Sequence, residues 1–115
     1  MNNSKNTLIQ ITNYGMGQGD ESLGLKLATN YFNLLLEDKR LPKIIVFYNG
    51  GVKLLSKSAP TAEILLRIEQ EGVKLLACKT CIDFYEISET LKAGTTGSMM
   101  DIITLQATAD KVITL

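Results

Sequence analysis

The chain has no histidine and no tryptophan, and it carries only two cysteines and two prolines among 115 residues. The missing histidine removes the general base of serine triads and of Cys-His nucleophilic pairs. It also leaves metal chemistry short of ligands. A closed zinc site takes four donors, and two cysteines supply half a set unless two subunits share one, so no metal is expected. Charge of one sign is equally scarce: 12 basic and 12 acidic side chains leave a formal net charge of zero. With no basic run to track a phosphate backbone or an anionic lipid surface, neither nucleic acid nor membrane is expected as the primary partner. No apolar stretch approaches the roughly 20 residues of a membrane span. The opening, Met1 to Asn6, is polar and has no secretory apolar segment. A cytoplasmic location is therefore expected, where thiols stay reduced.

What is present is apolar content, 45% of residues. A chain of this size buries about two-thirds of its unfolded surface, so residues 1–115 are expected to form a single domain around one core. Strand-like apolar runs alternate with longer helical stripes, the pattern of an α/β fold whose parallel sheet is covered on both faces. Strands are expected at Leu8 to Thr12, Lys43 to Tyr48, Val73 to Ala77 and Lys111 to Leu115. Thr95-Thr96-Gly97 forms either a short fourth strand or a loop.

The first helix is expected from Glu21 to Glu37, capped by Asp20. Leu23, Leu27, Tyr31 and Leu34 make its apolar face, widened by Leu25, Ala28, Phe32 and Leu35. Lys39 and Arg40 suit its C-terminal dipole. Pro60 falls in the first turn of the second helix, which carries Leu65 and Ile68 inward and stops at Gly72. Ser88 opens a brief helix that Gly94 ends, and Ser98 begins a capping box for the last helix, which runs to about Ala109.

Two motifs carry chemistry. The loop Gly15-Met16-Gly17-Gln18-Gly19 lies between a strand and a helix, where backbone N–H groups can approach an anion. The dinucleotide fingerprint, however, wants glycine where Asp20 stands and an acid where Asn49 stands. There is no Walker lysine, so no nucleotide cofactor, and no cofactor of any kind, is expected. Gly15, Gly17 and Gly19 then read as lining of a site, as do Asn49, Gly50 and Gly51 after the second strand.

The second motif is Cys78-Lys79-Thr80-Cys81, at the carboxyl end of the third strand, where ligands gather in open parallel sheets. A helix starting after Cys78 offers its N-terminal N–H groups to a thiolate, and Lys79 adds positive charge. Both effects lower a thiol pKa. The spacing lets Cys81 reach Cys78. A thioredoxin-like scaffold does not fit, because the pair sits two-thirds along the chain and neither Pro42 nor Pro60 lies downstream of it. Three readings stay open: a sulfur carrier, a thiol–disulfide redox module using both cysteines, and a non-catalytic assembly protein whose cysteines are structural.

The succession Gly17-Gln18-Gly19-Asp20-Glu21, Asn49-Gly50-Gly51-Val52-Lys53-Leu54, Leu76-Ala77-Cys78-Lys79-Thr80-Cys81-Ile82-Asp83-Phe84-Tyr85 and Ala109 to Leu115 resembles the DsrE/DsrF-like family of small sulfur-relay proteins. It is most similar to the C-terminal domain of the YedF group of sulfurtransferase-like proteins of selenium metabolism. The resemblance implies a three-layer α/β/α sandwich with a five-stranded parallel sheet in the order 4-3-2-1-5. It implies homo-oligomers, trimers or hexamers. It also implies that Cys78 accepts sulfur as a persulfide. Cys81 matches the YedF group and departs from the relay proteins, which often have a small apolar residue there. That group usually carries a TusA-like domain ahead of this one. Here the chain begins at the first strand, so sulfur donor and acceptor proteins, TusA-like ones among them, are expected in trans.

Overall fold

The computed structural model describes residues 6–115; the polar opening Met1 to Lys5 lies outside them. Five strands, β1 (Thr7–Ile11), β2 (Ile44–Phe47), β3 (Lys74–Cys78), β4 (Thr95–Gly97) and β5 (Lys111–Thr114), form one sheet in the order β4-β3-β2-β1-β5. Every pairing is parallel. The expected fold and strand order are both present. Four α-helices connect the strands: α1 (Glu21–Glu37), α2 (Ala62–Gln70), α3 (Lys79–Tyr85) and α4 (Met99–Thr108). Thr95–Gly97 resolves as a strand, with Cys78 in register with Gly97.

The central strand β2 shows why the sheet is covered on both sides. All four residues of Ile44-Ile45-Val46-Phe47 are buried, which a strand packed on one face only would not allow. Alternate side chains enter two cores. Ile9, Ile11, Ile45, Phe47, Leu75 and Ala77 meet α1, α2 and α3 on one face. Leu8, Ile44, Val46, Leu76 and Cys78 meet Ile102 of α4 on the other. Each such side chain contributes about 1.5–3 kcal/mol by leaving water. The second face has thinner cover. Met99, Met100 and Ile103 of α4 are exposed, as is Val112 of β5.

Helix starts follow their caps. The Asp20 carboxylate accepts from the Ser22 and Leu23 N–H groups at 2.9 and 3.2 Å. Ser98 and Asp101 form the expected box, with Asp101 N–H donating to Ser98 Oγ at 3.1 Å and Ser98 N–H donating to Asp101 Oδ2 at 2.8 Å.

Four expectations change. The inward face of α1 is Ala28 and Phe32, flanked by part-buried Leu25, Tyr31 and Leu35, while Leu23, Leu27 and Leu34 face out. A helix apolar around most of its circumference does not reveal its buried side through periodicity. Past its end, Arg40 pairs with Asp38 at 3.1 Å, and Lys39 turns the chain at φ 55°. Neither cation lies in the last turn of α1. Pro60 precedes α2, whose N-cap is Thr61; the buried Thr61 hydroxyl donates to the Leu54 carbonyl at 2.8 Å. Ser88 opens only a 3₁₀ turn, Ser88–Thr90, and has no capping bond. The backbone beyond is held by Lys57 N–H on the Thr90 carbonyl and Lys92 N–H on the Leu55 carbonyl, both 2.8 Å.

The exit from β2 is not a simple turn. Asn49–Leu55 forms a seven-residue 3₁₀ helix with Gly51, Val52, Leu54 and Leu55 buried. Gly51 lies so close to β1 that a Cβ there would stand 2.2 Å from the Ile11 carbonyl oxygen. Only glycine allows this approach.

Candidate functional site

Parallel register decides where the chemistry collects. Ile11 pairs with Phe47, Phe47 with Ala77, and Cys78 with Gly97. The chain therefore leaves β1, β2 and β3 at one edge of the sheet, as Thr12–Gly15, Tyr48–Gly51 and Lys79–Cys81. Tyr48 N–H donates to the Ile11 carbonyl at 3.1 Å and ties the first two exits together.

Cys78 ends β3 and is the N-cap residue of α3, but its side chain makes no capping hydrogen bond. Its side chain enters the second core beside Leu8, Ile44, Val46 and Leu76, and it is only 2% exposed. The N-terminal N–H groups of α3 are thus not held by the thiol, contrary to the simplest version of helix-end activation. Cys81, one turn on, is half-buried and packs against both cores. Both thiols are free. Asn49 N–H donates to Cys81 Sγ at 3.1 Å, and Asn49 reaches that position through a left-handed φ of 54°. Burial pushes the Cys81 thiol pKa up, the Asn49 N–H pulls it down, and a hydrogen bond and charge shared with the neighbouring Cys78 push it up again.

Of the nine residues expected at the site, Asn49 and Cys81 meet directly, and Cys81 packs against the core that holds Cys78. Gly50 and Gly51 are packed just behind, against the Tyr14 amide and the Ile11 carbonyl. The glycine loop divides. Gly15 is pressed onto Gly24 of α1, and Met16 N–H donates to the Gly24 carbonyl at 2.9 Å. Gly17 and Gly19 line an adjoining cleft of about 340 Å³ with Asn13, Tyr14, Asp20 and Glu21, and no cysteine is among its walls. The Asp20 carboxylate already occupies the α1 N–H groups, and the Ser22 hydroxyl and these N–H groups hold its pKa below the ordinary value. A phosphate there would meet that negative charge.

Lys79 is directed elsewhere. Its ammonium pairs with Asp83 at 2.9 and 3.3 Å on the exposed side of α3, and it is not among the causes of the Cys81 shift.

The sequence reading missed a different lysine. Lys53 Nζ lies 5.1 Å from the centroid of the Tyr14 ring and 4.8 Å from that of Tyr85. This is cation–π distance to both faces. Tyr14 comes from the loop after β1, Lys53 from the 3₁₀ helix after β2, and Tyr85 from α3, four residues beyond Cys81. No local pattern joins three such separate positions; Lys53 and Tyr85 stand in the runs that carry the family resemblance, and all three follow strand ends. Among the described residues no three His, Cys, Asp or Glu side chains converge as a metal set, and no helix is long and apolar enough to cross a membrane.

A family model described as the DsrE/DsrF-like family matches residues 5–115. The chain belongs to the DsrE/DsrF-like family. Among solved structures, the YchN protein from E. coli is 24% identical, with a TM-score of 0.67 over 96% of this chain and 100% of that one. MTH1491 from Methanobacterium thermoautotrophicum, a protein of unknown function, is 19% identical, with a TM-score of 0.67 over 100% of both chains. BT1422 from Bacteroides thetaiotaomicron, a conserved protein of unknown function, is 14% identical with a TM-score of 0.68, covering 96% of this chain and 95% of that one. At these identities the likeness is one of fold. No curated protein sequence matches the chain. In this DsrE/DsrF-like protein the thiol pair therefore stands on the family's sheet at the edge where β1, β2 and β3 all end.

Proposed function

We propose that the protein is a cytoplasmic sulfur carrier that holds a persulfide on Cys78, with Cys81 as its partner thiol. The observation that carries this reading is the convergence of two free cysteines at the end of β3 on the same core, with Cys81 Sγ receiving the Asn49 N–H at 3.1 Å. Family membership supports the same chemistry. The Cys78 thiolate attacks the outer sulfur of a donor persulfide, R–S–SH. The donor S–S bond breaks, R–SH leaves with the proton, and Cys78–S–S⁻ remains. An acceptor thiolate then takes the outer sulfur and Cys78 is restored, with no net oxidation. Alternatively Cys81 attacks the inner sulfur, expels hydrosulfide and closes a Cys78–Cys81 disulfide, which a cellular dithiol must reduce before another cycle. Donor and acceptor proteins act in trans, TusA-like proteins among them.

Burial of Cys78 among Leu8, Ile44, Val46 and Leu76 keeps its sulfur out of solvent, which would protect the cargo of such a carrier. The same burial favours the structural reading of the cysteines, and the spacing of two free cysteines by one helical turn favours a redox module. One experiment separates all three: incubation with a cysteine desulfurase and cysteine, followed by intact mass with and without reductant. The carrier gains one sulfur atom reversibly; the gain is lost in Cys78→Ala and kept in Cys81→Ala. Loss of two hydrogens under mild oxidant, without sulfur gain, identifies the redox module. No change, together with slow alkylation of the native protein, identifies structural cysteines.

Self-association into trimers or hexamers belongs to this proposal. The exposed side chains Met99, Met100 and Ile103 of α4, Phe84 of α3 and Leu23, Leu27 and Leu34 of α1 supply apolar surface for it. Light scattering that gives only monomer at micromolar concentration refutes it.

A further inference from the structure

The Lys53 ammonium is held in a defined place by two aromatic rings, one on α3, which also carries Cys81, and one in the loop after β1, which lines the adjoining cleft. Tyr85 follows Cys81 by one helical turn and so shares its side of α3. Tyr14 leads from β1 into the loop that packs on Gly50. Lys53 itself is carried by the 3₁₀ helix that begins with Asn49, the donor to Cys81 Sγ. The elements that grip the sulfur thus also fix the cation. Lys53 is half-buried, and among the described residues no carboxylate pairs with it. Asp20, held by the N–H groups and hydroxyl at the start of α1, and Glu21 line the cleft on the far side of Tyr14, while Lys79 is paired with Asp83.

A cation held between rings and left without a counter-ion offers its charge to an incoming group. We infer that Lys53 is the anion-recognising residue of the thiol site, selecting small sulfur donors that arrive negatively charged, such as a thiosulfonate, R–SO₂–S⁻, whose S–S bond breaks as Cys78 takes the outer sulfur and the sulfinate leaves. The identity of the cargo rests on the sulfur-carrier reading; the preference for an anion rests on Lys53 alone. Lys53 acts on the charge of the ligand, which a comparison of an anionic with a neutral reagent reads directly. The rings keep the ammonium in place through cation–π attraction, which leaves its outward side free to meet charge.

The test compares two alkylating agents of nearly the same size on the reduced native protein: iodoacetate, an anion, and neutral iodoacetamide. Rates at Cys81 are followed by peptide mass mapping in the unsubstituted protein, Lys53→Met and Lys53→Arg, with circular dichroism confirming that each variant is folded. Lys53→Met lowers the iodoacetate-to-iodoacetamide ratio on the order of fivefold, the size expected for one charge acting across a part-solvated site. Lys53→Arg keeps the ratio, and the iodoacetamide rate stays unchanged in all three. Added salt lowers the ratio in the unsubstituted protein and leaves it flat in Lys53→Met. An equal ratio in all three proteins, or an equal fall in both rates, overturns the inference. Sulfur loading is scored separately by mass. Loading with a flat ratio refutes the role of Lys53 and leaves the carrier standing; a changed ratio without loading refutes the carrier and supports Lys53 as the anion selector.

Discussion

Replacing Gly51 by alanine tests the link between the sheet and the thiol site. The added Cβ would lie 2.2 Å from the Ile11 carbonyl oxygen and 2.8 Å from its carbon. Both are backbone atoms of a buried strand, so neither can rotate away as a side-chain tip could. Either β1 or the 3₁₀ helix must move. Strain of this kind in a packed interior costs about 1–3 kcal/mol, and placing it against backbone argues for the upper end. Unfolding entropy near 2.1 cal/mol/K per residue converts about 2–3 kcal/mol into a fall of roughly 8–12 °C in Tm for a chain of this length. Gly50→Ala is the internal control. Its Cβ would meet the Tyr14 amide nitrogen at 3.4 Å, close to ordinary contact, and the expected change stays within about 1 kcal/mol. Thermal melts by circular dichroism compare the two. Displacement of the 3₁₀ helix also draws the Asn49 N–H away from Cys81 Sγ, so iodoacetamide alkylation of Cys81 changes in Gly51→Ala and not in Gly50→Ala. Equal melting temperatures for the two variants refute the close-approach argument, whatever happens to the thiol.

Phe32→Ala should cost about 3–5 kcal/mol in denaturant unfolding, whereas Leu34→Ala on the exposed side of α1 should change stability of the monomer by less than about 0.5 kcal/mol; equal losses would mean that α1 presents the other face. The caps Asp20 and Asp101 both have folded pKa values below the ordinary aspartate value, held down by their hydrogen bonds to Ser22 and Leu23 and to Ser98. Their contribution is full above that value and is lost as pH falls through the lower folded values, so Asp20→Ala should lose stability at neutral pH and show a shallower decline in acid. An acid limb identical to that of the parent protein contradicts the cap. Lys79→Met, which removes the pair with Asp83 and no contact with sulfur, should leave Cys81 alkylation within about twofold, consistent with the small effect of exposed ion pairs; a larger fall in rate would restore Lys79 to the site.

Local chemistry determined much of this protein before any tertiary contact was known. Ile44-Ile45-Val46-Phe47 has no polar side to offer water, which makes it an interior strand. Asp20 and Ser98 start helices because their side chains reach N–H groups two or three residues ahead. The cysteine spacing follows from one helical turn after a strand, so the placement of Cys78 at the end of β3 and Cys81 in the first turn of α3 was legible too. The orientation of α1 was not, since Leu23, Leu27 and Leu34 are as apolar as the residues that are buried. Only the space left beside Ile9, Ile45 and Phe47 chose Phe32 and Ala28. Tertiary structure also decided that Asn49–Leu55 coils tightly beneath β1, because the demand for glycine at 51 comes from a carbonyl 40 residues earlier. It turned Lys79, beside Cys78 in sequence, toward Asp83 and set Lys53 between two rings. On α3 an acid four residues away captures Lys79, while parallel register carries Tyr14, Lys53 and Tyr85 to the same edge of the sheet. Sequence acts over one turn of helix, and charge and shape across strand ends belong to the fold.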